Sequence, residues 1–245
     1  MDMAFKIHTL DVKNSLQNYI WLLEHTESHD VIAVDPTEAA WVEHYCQEHQ
    51  LNLTQIWLTH WHKDHVGGVP ELIQNKNIDV YGPRAELSRI PWVNYPLDHN
   101  DRFEFHGLEV EITATPGHTL GHIVYFIDDI HTLFCGDVLF AMGCGRVFEG
   151  TFQQMYDSLN RIAAFPAETQ VYCTHEYTLS NAQFARHVEP DNLAIQQRFD
   201  EVESLRMLGQ CTLPSSIKLE LETNPFLRAE SVEAFQRLRE LKDNF

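Results

Sequence analysis

The sequence predicts an α+β protein, with a sheet-rich part through about residue 175 that carries a metal site at its strand ends, and a helical part after it. Three observations lead there. Apolar runs of strand length, rich in β-branched and aromatic residues, recur as far as Cys173 and then give way to helical spacing. Four potential metal ligands, His60, His62, Asp64 and His65, fall within six residues directly after one such run. Three later runs are each followed closely by another: His118, Asp137 and His175. Ligands gathered from several strand ends converge on one edge of a sheet, which is where sites form in layered folds.

The elements follow in order. Asn18–Leu23 and Val31–Val34 read as strands, and Asp35-Pro36 ends the second. Thr37 is expected to cap a helix running to about His49, and Asp35 is expected to serve the turn, with a supporting contact to the site as the alternative. Gln55–Thr59 is a short buried strand leading into the His-rich loop. Gly67 and Gly68 are expected to relax the backbone there, ahead of a helix near Val69–Gln74. A short strand spans Asp79–Tyr81, and residues 83–106 give weak signals. Leu108–Thr113 alternates as a half-buried strand does. Ile123–Ile127, Thr132–Cys135 and Gln170–Cys173 are further strands, with a helix over Phe152–Ala164 between the last two. Beyond Glu176, helices are expected over Ser180–His187, Asn192–Leu208 and Ser231–Asp243; Leu193, Phe199, Val202, Leu205 and Met207/Leu208 form the apolar face of the middle one. The expected division is residues 1–175 and residues 176–245, without internal repeats.

Composition narrows the function. A formal charge of −19 repels nucleic-acid backbones and anionic membrane surfaces. The start, Met1–Lys6, lacks a basic segment followed by an apolar run, and no stretch reaches the ~20 apolar residues of a membrane span. Five cysteines in no Cys-x-x-Cys spacing are expected to be reduced thiols, so the reading is a cytoplasmic protein without a cysteine zinc site.

With 15 histidines in the chain, a stray pair carries little weight, but four ligands within one turn of chain are not accounted for by a polar surface loop. Thr59-His60-Trp61-His62-Lys63-Asp64-His65 resembles the signature of the metallo-β-lactamase superfamily. The resemblance implies an αβ/βα sandwich with one or two metals at one edge. It assembles His60, His62 and His118 around one ion and Asp64, His65 and His175 around a second, with Asp137 bridging. Imidazole and carboxylate suit zinc, with iron or manganese as alternatives. His122 is the rival ligand and is assigned to packing or support; the remaining histidines lack partner spacing.

The later part narrows the family. Cys173-Thr174-His175-Glu176-Tyr177, Gly143–Thr151, Phe184–Pro190, Asn224-Pro225-Phe226-Leu227-Arg228 and Leu238–Phe245 resemble glyoxalase II, the hydroxyacylglutathione hydrolases. That family hydrolyses S-D-lactoylglutathione to D-lactate and glutathione in methylglyoxal detoxification. Two ions sharing a water would make hydroxide available near neutral pH, with Asp64 and Asp137 as catalytic carboxylates. The resemblance places glutathione on Arg146, Phe148, Tyr177, Arg239 and Lys242. Here Arg146 stands where the family commonly has Lys, and Phe148 where it commonly has Tyr. Arg228 is expected to buttress the helical part. The alternatives are another thioester hydrolase of the superfamily, a mono-iron persulfide dioxygenase, or a non-catalytic metal-binding protein. A monomer acting on a small glutathione thioester, with no nucleic-acid or membrane partner, is the expectation.

Overall fold

The computed structural model describes residues 4–245; Met1, Asp2 and Met3 of the N-terminal stretch lie outside it. Six strands form the first sheet, with β1 (Phe5–Asp11), β2 (Tyr19–His25) and β3 (Asp30–Val34) antiparallel. Helix α1 (Ala39–His49) crosses over to β4 (Asn52–Trp57), parallel to β3. Single-turn helices α2 (Lys63–Val66) and α3 (Val69–Leu72) precede β5 (Asp79–Pro83) and β6 (Tyr95–Leu97), which extend the parallel half.

The second sheet begins with the meander β7 (Arg102–Phe105), β8 (Leu108–Ala114), β9 (Ile123–Ile127) and β10 (Thr132–Gly136). A separate hairpin, β11 (Leu139–Phe140) and β12 (Gly143–Cys144), follows. Helix α4 (Phe152–Ala163) leads to β13 (Gln170–Cys173), parallel to β10. The rest is helical: α5 (Thr178–Val188), α6 (Leu193–Met207), α7 (Ile217–Thr223) and α8 (Val232–Asp243). A two-residue strand, β14 (Ser215–Ser216), interrupts it and pairs with β13.

Strand periodicity explains the layering. Every second residue of the first sheet (Trp21, Leu23, Ile32, Val34, Trp57) faces the second sheet, where Trp57 stacks on Tyr125 at 5.1 Å. The alternate residues (Ile20, Leu22, Val31, Ala33, Ile56) pack on Ala39, Val42 and Cys46 of α1 and on Val66, Val69 and Leu72. Helix α4 covers the second sheet with Met155, Leu159 and Ile162. Thr151 and Gln154 form a capping box at its start. The order is helices, sheet, sheet, helices, the αβ/βα sandwich expected of an α+β chain.

Several expectations need correction. Thr37 does not cap α1: Glu38 occupies the cap position with no side-chain hydrogen bond. Gly67 and Gly68 have ordinary helical backbones, with φ of −59° and −81°. They are small for lack of space, since a Cβ on Gly67 would lie 2.6 Å from the Thr37 carbonyl oxygen. Only the middle of α6 is buried, through Ile195, Phe199 and Val202, while Leu193, Met207 and Leu208 at its ends are exposed. Helix α7 and strand β14 were not legible, and β14 returns the chain to the second sheet.

The β11–β12 hairpin is held by helical side chains. Asn224 donates to the carbonyls of Phe140 (3.2 Å) and Gly143 (2.9 Å), and Asn181 to that of Ala141 (3.1 Å). Glu220 accepts from Met142 N–H at 2.8 Å. The Met142 side chain packs with Ala182, Ala185, Ile195 and Phe199. Asn224→Ala removes the two amide hydrogens that serve the Phe140 and Gly143 carbonyls and Glu220, at about 1 kcal/mol or more each. The expected result in denaturant titration is a loss of about 2 kcal/mol.

Candidate active site

The seven candidate ligands come together at one edge of the sandwich. The loop after β4 supplies His60 and His62, and the α2 turn that follows supplies Asp64 and His65; the β8–β9 connection supplies His118; the ends of β10 and β13 supply Asp137 and His175. Nδ1 of His62 lies 3.0 Å from Nε2 of both His60 and His118. Nε2 of His65 and of His175 lie 3.5 and 3.4 Å from Asp64 Oδ2. Asp137 stands between the trios. Its Oδ1 is 3.4 Å from His65 Nε2 and 3.3 Å from His175 Nε2, and its Oδ2 is 3.5 Å from His118 Nε2.

These atoms suit divalent metal ions. Ligand atoms about 2.1 Å from a common tetrahedral ion stand about 3.4 Å from one another, close to the spacing around Asp64, His65, His175 and Asp137. His65 Nε2 and Asp137 Oδ1 are buried without any hydrogen-bond partner, which is costly unless a cation satisfies them. Burial holds His60 and His118 below the usual imidazole range and pushes His62 down to about 4, so these rings are neutral and have a lone pair to give.

The supporting hydrogen bonds decide which nitrogen is free. The Thr59 hydroxyl donates to Asp35 Oδ2 at 2.7 Å, so its oxygen accepts from His60 Nδ1–H at 3.0 Å. His65 Nδ1–H donates to Asp35 Oδ2 at 3.0 Å, His118 Nδ1–H to the Arg146 carbonyl at 2.9 Å, and His175 Nδ1–H to the Leu16 carbonyl at 2.8 Å. In all four rings Nε2 is the nitrogen left for a metal. His122 is occupied: its Nε2 accepts the Asp137 backbone N–H at 3.1 Å and its Nδ1 faces Thr115 Oγ1 at 2.9 Å. Gly136 permits this approach, because its φ is +49° and a Cβ would lie 2.8 Å from His122 Nε2.

Asp35 serves both the turn and the site, so the two roles read for it hold together. It has the turn's positive φ of 47°, but its buried carboxylate also accepts from Thr59 N–H at 2.8 Å and faces Thr174 Oγ1 at 3.5 Å. The ends of β3, β4 and β13 meet on it. An Asp beside a Pro at a strand end was the available signal, and it reads equally as a turn.

A cavity of about 710 Å³ opens from these ligands and is lined by Arg146, Phe148, Tyr177, Arg239 and Lys242. The Tyr177 ring lies parallel to His175 at 4.7 Å. Phe148, exposed to 61 %, stands 5.2 Å from His118 and 5.9 Å from His62. Arg239 is buried and engaged, donating to the Cys144 carbonyl at 2.8 Å and to Asp243 Oδ1 at 2.9 Å. Arg146 Nε also approaches Asp243 Oδ1, at 3.5 Å. Lys242 Nζ donates to the Ser180 carbonyl at 2.9 Å. Arg228 pairs with Glu189 at 3.2 Å, away from the cavity. Asp243 and the hairpin residue Cys144 are cavity residues that the sequence did not signal.

A two-sheet sandwich with a His/Asp cluster at one edge defines a protein of the metallo-β-lactamase class, and the profile of the metallo-beta-lactamase superfamily matches residues 32–175. The profile "Hydroxyacylglutathione hydrolase C-terminus" matches residues 176–245. Hydroxyacylglutathione hydrolases of Pseudomonas fluorescens and Pseudomonas aeruginosa are 49 % and 53 % identical to the chain, over 91 % and 86 % of it and 86 % and 82 % of their own lengths. The crystal structure of ETHE1 from Myxococcus xanthus superposes with a TM-score of 0.73 at 27 % identity, over 96 % of this chain and 90 % of that one. The chain belongs to the hydroxyacylglutathione hydrolase family.

Asp35→Ala removes the acceptor shared by Thr59 and His65. Loss of such a supporting contact typically weakens metal binding 10–100-fold, and zinc competition with a chromophoric chelator is expected to show a loss on that order.

Proposed function

We propose that the chain is a binuclear thioester hydrolase that cleaves S-D-lactoylglutathione, and related S-2-hydroxyacylglutathiones, to D-lactate and glutathione in methylglyoxal detoxification. The observation that carries this reading is that two ligand trios share Asp137 in one cavity with Arg146, Arg239 and Lys242. His60, His62 and His118 would hold one ion, Asp64, His65 and His175 the other, with Asp137 between them. Zinc is the first choice, and iron or manganese suits the same donors. When bound, the ions supply an ionised water near neutral pH and polarise the thioester carbonyl.

The chain's own groups do the rest. Asp64, with its side chain about a quarter exposed, orients the attacking water from the cavity side. The leaving thiol has a pKa of ~8.5, so it departs as thiolate without a strong acid. Tyr177, raised to about 12 mainly by burial, stays protonated and can donate to the substrate. Arg146 and Lys242 offer charge to the glutathione carboxylates. Arg239 contributes charge and also fixes the Cys144 carbonyl.

Residues 176–245 are proposed as the substrate-binding unit, acting within a single chain because both trios and all three cations come from one chain. None of the helices among the described residues is long and apolar enough to cross a membrane. A cytoplasmic location is in keeping with five unpaired thiols.

Steady-state hydrolysis of S-D-lactoylglutathione, beside a thioester lacking glutathione, is the test. A metal-loaded chain that cleaves both equally, or neither, overturns the assignment. Asp137→Ala is expected to lose activity by orders of magnitude together with at least one ion per chain, read by elemental analysis.

Lys242 generates a pH signature. Burial, with help from Arg239 and Arg146, brings its ammonium down to about 8. Below that value it is charged and attracts a carboxylate; above it the charge is lost. KM for lactoylglutathione is therefore expected to rise as pH passes about 8, with kcat nearly constant. Lys242→Met should raise KM on the order of tenfold at pH 7 and remove that inflection.

A further inference from the structure

We propose that Asn14 and Asn18 form an amide relay that fixes the Asp64 carboxylate for the second ion, making Asn18 a positioning residue of the site. The inference rests on the two-ion reading above. Both residues lie on the loop between β1 and β2, and neither is among the ligands or substrate contacts.

Amide orientation is ambiguous in isolation, since oxygen and nitrogen look alike. Here a backbone group settles it. The Asn18 backbone N–H can only donate, and its partner at 3.1 Å is therefore Asn14 Oδ1. The other end of the Asn14 amide must then be Nδ2, which donates to Asn18 Oδ1 at 3.0 Å. That in turn aims Asn18 Nδ2 at Asp64, 3.2 Å from its backbone carbonyl and 3.2 Å from its Oδ2. The polarity runs in one direction from a peptide N–H to a carboxylate, with every donor and acceptor determined.

The target oxygen is the informative part. Asp64 Oδ2 is the same atom that lies 3.5 and 3.4 Å from His65 Nε2 and His175 Nε2. A carboxylate oxygen has two lone-pair directions. The fully buried Asn18 amide takes one and leaves the other toward the histidines, holding the side chain in a single orientation. A neutral amide does this without adding a charge that would compete with the ion. The same loop supplies the Leu16 carbonyl to His175 Nδ1–H, so it supports two of the three side chains of the second trio. The first trio takes its support from Thr59 and the Arg146 carbonyl instead. A defect in the relay must therefore fall on one ion and spare the other.

Stepwise zinc titration of metal-free protein against a chromophoric chelator reads the two affinities separately. In Asn18→Ala one of the two dissociation constants is expected to rise about 10–100-fold, with the other within about twofold, whatever the lost buried hydrogen bonds do to the thermal midpoint. Asn14→Asp, at a half-buried loop position, keeps the acceptor for Asn18 N–H but removes the donor to Asn18 Oδ1; it should weaken the same ion in the same direction and is readable even if Asn18→Ala folds poorly. Unchanged affinities for both ions in Asn14→Asp overturn the relay. Equal weakening of both ions with a lowered midpoint overturns it too, because that is the mark of a loop that merely props up the fold. A wild-type chain that takes up a single zinc overturns the two-ion reading, and the relay with it.

Discussion

A carboxylate sealed among histidines is the constraint on which the structure depends. Asp137 is almost wholly buried, and one of its oxygens has no hydrogen-bond partner in the protein. Such a group is tolerable only where positive charge is guaranteed. Burial alone would raise its pKa, but His175 and His65 outweigh that and hold it well below the usual carboxylate range. Everything around it serves this placement. The preceding Gly136 takes a backbone that other residues avoid, His122 accepts the Asp137 backbone N–H, and two sheets deliver histidines from opposite sides.

The ring orientations follow from the same economy. Each of four histidines gives its Nδ1 proton to a fixed oxygen, two of them on the Asp35–Thr59 pair and two on backbone carbonyls. One of those carbonyls belongs to Arg146, whose side chain lines the cavity. Metal support and substrate contact thus share one residue, through its main chain and its side chain respectively.

Much of this was legible in sequence. His60, His62, Asp64 and His65 announce themselves because they are dense, and His118, Asp137 and His175 because each follows a strand. The apolar alternation of β8 and the runs of β9, β10 and β13 gave the second sheet. What stayed hidden depends on partners far along the chain. Asn18 meets Asp64 at a separation of 46 residues, and Asn224 meets Phe140 at 84. Asp35 looked like a turn because it is one, and nothing in its neighbourhood reports Thr59 or His65. The seven-residue α7 and the two-residue β14 are too short for periodicity to show.

The hairpin after Asp137 sets a limit on modularity. Its tip methionine fills the space between α5 and α6, and its carbonyls are claimed by side chains of α5 and α8 and by Asn224 after α7. The helices are therefore not an accessory hung on a finished sandwich. A chimera that exchanged residues 176–245 for the tail of another superfamily member would inherit a hairpin shaped for a different socket. The smallest unit that could be traded between relatives has to be discontinuous, with the helices and the stretch from Asp137 to Thr151 moving together.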